Sequence, residues 1–226
     1  MSEFLGVLFC GGRGRRLGEI TKYISKSFIP VYDKPVFKFG LELLEKSKII
    51  KEIVILTNKD NDSVLNQSGY KTIIQEDSKV NDMLSGWKFI KEITKTKKNG
   101  VLVPSDNICE VKTDLLIKKF LETNADFLFS LHKVSNKEKL SQMGCFDIKE
   151  KKFYYRNSRK SLEYGVIAPY IIKNVIHQEE HLMNIDSIGN IFESSKAEIV
   201  FHEGYWFDTG DCESILEASG WRQKNK

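Results

Sequence analysis

The chain reads as short apolar runs separated by polar segments. Residues 5–9 are apolar throughout, the mark of a strand covered on both faces. Further strands are predicted at 53–56, 70–75, 101–104 and 126–131. Between them the apolar spacing shifts to three and four. That spacing predicts helices over 36–44, 82–94 (Met83, Trp87, Ile90, Ile93) and 115–121, with a short one inside the polar stretch 58–69. Strands that alternate with helices argue for a parallel sheet covered on both faces. From Gly144 the pattern changes. Residues 145–155 predict two short antiparallel strands around Lys149-Glu150. A strand at 164–172, a helix at 183–192, a strand at 197–202, a strand end at 206–210 and a closing helix at 212–221 follow. No repeat, low-complexity tract or linker divides the chain, so one domain over residues 1–226 is expected.

The first strand runs into Gly11-Gly12-Arg13-Gly14-Arg15-Arg16-Leu17. Glycines let the backbone turn sharply and approach a ligand where a Cβ would clash. Exposed N–H groups of such a loop can cradle phosphate oxygens. Arg13, Arg15 and Arg16 add fixed positive charge that can grip phosphate, and Lys26 follows. Ligands of open α/β sheets sit beyond the carboxyl ends of the strands. Both this loop and Asp106, in Ser105-Asp106-Asn107 after the strand at 101–104, fall at such ends. The pattern points to a nucleoside triphosphate. It is not a Walker loop, because no Lys follows Gly14, and not a dinucleotide fingerprint, because position 17 is Leu. A tight turn with solvated arginines is the plain alternative. For Asp106 that alternative is a helix cap, and for Asp208 a turn before the last helix.

Composition adds mostly exclusions. The 226 residues are 41% hydrophobic and 29% charged, ordinary for a soluble globular protein. The net charge of +4 is not gathered into a basic tract, so nucleic acid is not an expected partner. No apolar run approaches the roughly 18 residues of a membrane span, and the N-terminus has no basic lead or cleavage site. A cytoplasmic protein is expected. Its four scattered cysteines have no zinc spacing and are expected to be buried as small hydrophobes. The four histidines show no metal-ligand spacing either, and Trp87 and Trp206 are expected to fill core or pocket walls.

The segment 7–35 resembles the signature of the sugar-1-phosphate nucleotidylyltransferases. That pattern is Gly-Gly-x-Gly-Thr-Arg-Leu, then Lys-x-x-x-Pro-Val-x-x-Lys-Pro. It is matched at Gly11, Gly12, Gly14, Arg16, Leu17, Lys26, Pro30, Val31, Lys34 and Pro35. Arg15 stands where the family has Thr, and Glu19 where a Pro is common. Ser25-Lys26, residues 30–35 and the run 206–219 around Asp208-Thr209-Gly210 are most similar to glucose-1-phosphate thymidylyltransferases.

The resemblance implies a Rossmann-like three-layer α/β/α fold, with a mostly parallel central sheet and a small antiparallel sugar-binding insertion. It implies Mg²⁺-dependent transfer of a nucleoside monophosphate from an NTP, dTTP favoured, to a sugar 1-phosphate. Arg16 and Lys26 would be catalytic. Gly11, Gly12, Gly14, Arg15 and Gln75 would bind the nucleotide, and Asp106 and Asp208 the metal. The family's Glu-Lys-Pro is replaced by residues 153–160. Arg156 is the substitute cation there, with Lys160 second, and Tyr164 and Gly165 would complete the sugar-phosphate site. The family's Pro-x-Gly segment after Gln75 is also replaced, by residues 76–82, and its Thr-Gly becomes Ile167-Ala168. The short C-terminus implies a monomer or weak homodimer.

Other readings stay open. One is a cytidylyl- or other nucleotidylyltransferase with a different phosphate acceptor. Another is a non-catalytic nucleotide-binding relative. A glycosyltransferase is disfavoured, because Asp106 is followed by Asn107-Ile108 instead of completing an Asp-x-Asp.

Overall fold

The computed structural model describes residues 3–155, 162–174 and 196–226. In chain order these form β1 (Phe4–Phe9), a 3₁₀ segment (Arg15–Lys22), the ribbon β2 (Pro30–Val31) and β3 (Lys34–Pro35), and α1 (Phe37–Glu45). Next come β4 (Glu52–Thr57), α2 (Lys59–Leu65), β5 (Lys71–Ile74), α3 (Met83–Thr94), β6 (Asn99–Pro104), β7 (Asn107–Cys109) and α4 (Thr113–Thr123). Then follow β8 (Phe127–Lys133), α5 (Lys137–Ser141), β9 (Gly144–Asp147), β10 (Lys152–Tyr155), β11 (Tyr164–Ile172), β12 (Ala197–His202), β13 (Trp206–Asp208) and α6 (Cys212–Lys224).

β1 is the centre of the sheet. It pairs in parallel with β4 on one side and β6 on the other, and β4 continues in parallel to β5. Successive side chains of a strand face opposite ways. Phe4 and Leu8 therefore join one core, with Leu41 and Leu44 of α1 and Ile117 and Phe120 of α4. Leu5 and Val7 join the other, with Leu84, Trp87 and Ile90 of α3. That is why β1 carries no polar residue: it is buried on both faces. The expected three layers are present.

β11 attaches the second half of the chain. It runs antiparallel to β6 at its end and antiparallel to β8 and β9 at its start, with a register shift between Ile167 and Ile171. β9 and β10 form the expected antiparallel pair, and β12 runs parallel to β8. Among the described residues no helix is long and apolar enough to cross a membrane. The expected helix at 183–192 lies outside the described residues, as do Arg156, Arg159, Lys160, His177 and His181.

The structure corrects some expectations. Asn107 opens β7, a strand that pairs with β13, where a turn is expected. Arg15–Lys22 is a 3₁₀ segment broken at Gly18 (φ 57°, ψ −128°), not a plain loop. α5 has no counterpart in the sequence reading. Cys10, Cys109 and Cys145 are buried, but Cys212 is exposed on the first turn of α6. Trp87 is in the core and Trp206 is nearly buried, as expected.

Candidate active site

The glycine loop leaves β1 at the carboxyl edge of the sheet, between the ends of β4 and β6. Cys10 N–H donates to the Leu56 carbonyl at 2.7 Å, and Ser105 N–H to the Phe9 carbonyl at 3.0 Å. The Cys10 carbonyl is held from two sides, by Asn61 Nδ2 at 2.8 Å and Ser27 Oγ at 3.2 Å. Ser27 Oγ also reaches Ser105 Oγ at 3.2 Å. Ser105 therefore has its hydroxyl paired in a buried position. Burial pushes the Cys10 thiol up to about 12, with hydrogen bonds to Ser27 and Ser105 acting against it. It is an inert core residue.

One glycine of the loop is required by its backbone and another is crowded. Gly14 has φ 63°, in the left-handed region that favours glycine. A Cβ on Gly11 would sit 2.0 Å from Gln75 Oε1, because the Gln75 side chain lies across the loop. Gln75 Nε2 donates to Asp77 at 3.1 Å, and Asp77 pairs with Arg13 at 2.6 Å. Gly11, Gly12, Gly14, Arg15 and Gln75 line one open cleft of about 670 Å³, which residues 80–83 also line. That volume suits a small-molecule ligand. A second cleft of about 460 Å³ opens beside it, between Gly14, Arg15, Arg16 and Lys26 on one wall and Ser141, Gln142 and Gly210 on the other.

The charged residues meet at this second opening. β13 pairs antiparallel with β7, Asp208 opposite Asn107. Thr209 donates both its N–H and its hydroxyl to the Asp106 carbonyl, each at 2.9 Å. A short ribbon thus brings together two aspartates from distant parts of the chain. Asp106 does not do the capping job the sequence allowed, since α4 has Lys112 at its cap position with no side-chain bond; Asp208 ends β13, and Asp211 caps α6. Lys26 pairs with Asp106 Oδ2. Arg16 reaches Asp208 Oδ2 at 3.4 Å and Gln142 Oε1 at 3.3 Å. A Cβ on Gly210 would lie 2.1 Å from Arg16 Nη2, so glycine there makes room for the guanidinium.

The two carboxyls are driven apart. Burial disfavours ionised Asp106, but the Lys26 ammonium and the Asn107 amide outweigh it and hold its carboxyl below the usual range. Burial and the charge of Asp106 raise that of Asp208 above its usual value, against the pull of Lys26, Arg16 and Lys139. Asp208 Oδ1 is buried and has no hydrogen-bond partner among the described residues. Two close carboxylates with one oxygen unspent fit a divalent cation. No set of three or more His, Cys, Asp or Glu forms a metal cluster among the described residues. The remaining ligands would be phosphate oxygens and water, as magnesium prefers.

A model of the nucleotidyl transferase family matches residues 5–224. The chain belongs to that family. The glucose-1-phosphate thymidylyltransferase of Neisseria meningitidis is 26% identical, over 96% of this chain and 82% of that protein. The low-salt glycan biosynthesis nucleotidyltransferase Agl11 of Haloferax volcanii is 28% identical, over 95% of this chain and 64% of that protein. A UTP-bound UGPase from Acinetobacter baumannii has a similar fold. Its TM-score is 0.78 at 15% identity, covering 100% of this chain and 95% of that one.

In this nucleotidyl transferase, Arg16, Lys26, Asp106 and Asp208 form one cluster, and the residues expected to bind the nucleotide line the adjoining cleft. Tyr164 and Gly165 line neither. Tyr164 packs edge-on against Phe201 at 5.5 Å, and a Cβ on Gly165 would meet Met143 at 2.6 Å. Sequence reasoning missed Lys139 and Gln142. Lys139 Nζ donates to the Asp208 carbonyl at 3.4 Å and to Ser214 Oγ at 3.1 Å. The available signal was Asn136, whose side chain caps α5 by accepting from Lys139 N–H at 3.0 Å.

Proposed function

We propose that this nucleotidyltransferase moves a nucleoside monophosphate from an NTP, dTTP by preference, to a sugar 1-phosphate. One observation carries the reading: the cluster of Arg16, Lys26, Asp106 and Asp208 at the mouth of a glycine-loop cleft, with one carboxylate oxygen unspent. The names of the Neisseria and Haloferax relatives support the chemistry. The preference for dTTP rests on the thymidylyltransferase-like runs at 30–35 and 206–219.

The acceptor's phosphate oxygen forms a bond to the α-phosphorus. The bond from that phosphorus to the oxygen bridging to the β-phosphate breaks, and pyrophosphate leaves. The attacking group is already an anion, so no side chain has to remove a proton. Catalysis then rests on orientation and on charge placed where charge develops.

The backbone of Gly11, Gly12 and Gly14 holds the triphosphate, and Arg15 stands at the rim. Arg16 stabilises the leaving pyrophosphate. Lys26, held next to Asp106, neutralises the α-phosphate. Gln75, fixed over Gly11, meets the base edge. Asp106 and Asp208 would hold a magnesium ion, which when bound neutralises charge on the reacting phosphates. Arg156 and Lys160 are the proposed acceptor-phosphate cations. The test is pyrophosphate release with Mg²⁺ over a matrix of NTPs and sugar 1-phosphates. Turnover highest with dTTP is expected, and no turnover with any pair would overturn the proposal.

A further inference from the structure

The turn after β6 carries contacts that this scheme does not use. Asn107 follows Asp106 directly, and its side-chain amide is bonded at both ends. Nδ2 donates to Asp106 Oδ1 at 3.0 Å, and Oδ1 accepts from Trp206 Nε1 at 2.9 Å. The two ends of an amide are nearly alike in shape, so packing alone does not choose between them. Chemistry does. An indole N–H can only donate, so it must meet the amide oxygen. The amide NH₂ then faces Asp106, whose ionised carboxylate can only accept.

The consequence is that the two oxygens of Asp106 are told apart. Oδ1 is bound from behind by a neutral donor whose direction Trp206 fixes. Oδ2 is turned to Lys26 and the charged cluster. Trp206 is itself held firmly. Its ring lies 5.7 Å from that of His132, its face carries the Lys139 ammonium at 5.1 Å, and it is only 9% exposed. It also stands on β13, the strand that delivers Asp208. One indole therefore supports the placement of both aspartates. If its N–H were lost, the Asn107 oxygen would have no donor and the amide would be held at one end only, free to swing away from Asp106 Oδ1.

We propose that Trp206 and Asn107 are positioning residues for the metal site. Through the amide they fix the rotation of the Asp106 carboxylate, so that Oδ2 is presented to the cation and its phosphates. This rests on the metal-dependent reading above. Such outer contacts orient ligands and are typically worth 10- to 100-fold in metal affinity.

The test uses Mn²⁺ as a paramagnetic probe of the full-length protein, with free ion read by electron paramagnetic resonance. Trp206→Phe keeps an aromatic ring near His132 and Lys139 and removes the donor together with the indole's second ring, while Asn107→Ala removes the relay and leaves the indole in place. Each is expected to weaken Mn²⁺ binding by about 10-fold or more. The double variant is expected to be no weaker than Asn107→Ala alone, since Trp206 acts through Asn107 and a relay is not additive. The indole N–H resonance of Trp206 should also shift when Mg²⁺ is titrated into the wild type and stay in place in Asn107→Ala.

Additive losses, or a folded Trp206→Phe protein with wild-type affinity, would overturn the proposal. If Trp206→Phe fails to fold, wild-type affinity in Asn107→Ala overturns it equally. The Mn²⁺ readout needs no acceptor, so this inference stands or falls apart from the identity of the sugar.

Discussion

Asp208→Asn should raise the melting temperature of the unliganded protein while removing its turnover. The Asp208 side chain is 15% exposed, and its best cation contact is Arg16 at 3.4 Å. Its Oδ1 is buried without a partner. Burial, and then the charge of Asp106, raise its carboxyl above the usual range despite the surrounding cations. The ionised carboxylate is therefore a net strain on the empty fold, kept for what it binds. Leaving a buried polar group unsatisfied costs about 1–3 kcal/mol, and more when it is charged; an amide in the same place leaves its atom unpaired but carries no charge. At the low end, about 1 kcal/mol, a chain of this length should melt about 2–4 °C higher.

The pH dependence has a definite sign. A group whose folded pKa is raised contributes stability below its unfolded value, about 3.9 for Asp. That contribution is lost as pH rises through the folded value. The asparagine variant has no such loss. Its advantage should be near zero in acid and grow to a plateau above the raised pKa. Calorimetry of both proteins in chelator, from about pH 4 to pH 8, reads this directly. A variant that melts at or below the wild type near neutrality, or a gain that does not change with pH, would refute the reasoning.

Asp106→Asn should act in the opposite direction on stability. It strips Lys26, whose side chain is 10% exposed, of its counter-charge, and a broken buried pair costs about 3–5 kcal/mol. Because the Asp106 carboxyl is held low, the stability it contributes is present above the unfolded pKa and lost as pH falls. The deficit in the same melts should therefore stay level across their pH range and shrink only in melts carried below about pH 4. Lys26→Met should lower kcat more than it weakens triphosphate binding; calorimetry and steady-state kinetics separate the two, and a change in affinity alone would make Lys26 a binding residue. Gly11→Ala should fold, because the obstructing atom, 2.0 Å from the new Cβ, is the movable end of Gln75. Displacing Gln75 should flatten the preference among NTPs, read as KM for each.

The positions of the glycine loop and Asp106 were legible because their signals are local, whereas Asp208 came only from the family resemblance of 206–219. A buried strand that runs into glycines or an aspartate marks the carboxyl edge of a sheet, and β1 and β6 both end that way. What was not legible depends on partners far away in the chain. β7 is three residues long and is a strand only because β13 pairs with it. α5 is a five-residue polar helix with no apolar period. Its Asn136 cap could mark the helix, but not that Gln142 would meet Arg16 or that Lys139 would reach the Asp208 carbonyl. Cys212 was misjudged because the average burial of a residue type says nothing about which face of a helix it occupies. The Asn107 amide was invisible for the same reason as β7: its orientation is set by an indole from the far end of the chain.

The central claim is a single transfer from triphosphate to acceptor, with no nucleotidyl-enzyme formed on the way. A single-turnover quench with α-³²P-labelled dTTP tests it most directly. With glucose 1-phosphate and Mg²⁺ present, the label should pass straight into a nucleotide sugar, one pyrophosphate for each. Without acceptor, no pyrophosphate should appear and no label should remain on the protein. A burst of pyrophosphate without acceptor, or labelled protein at any time, would contradict the account.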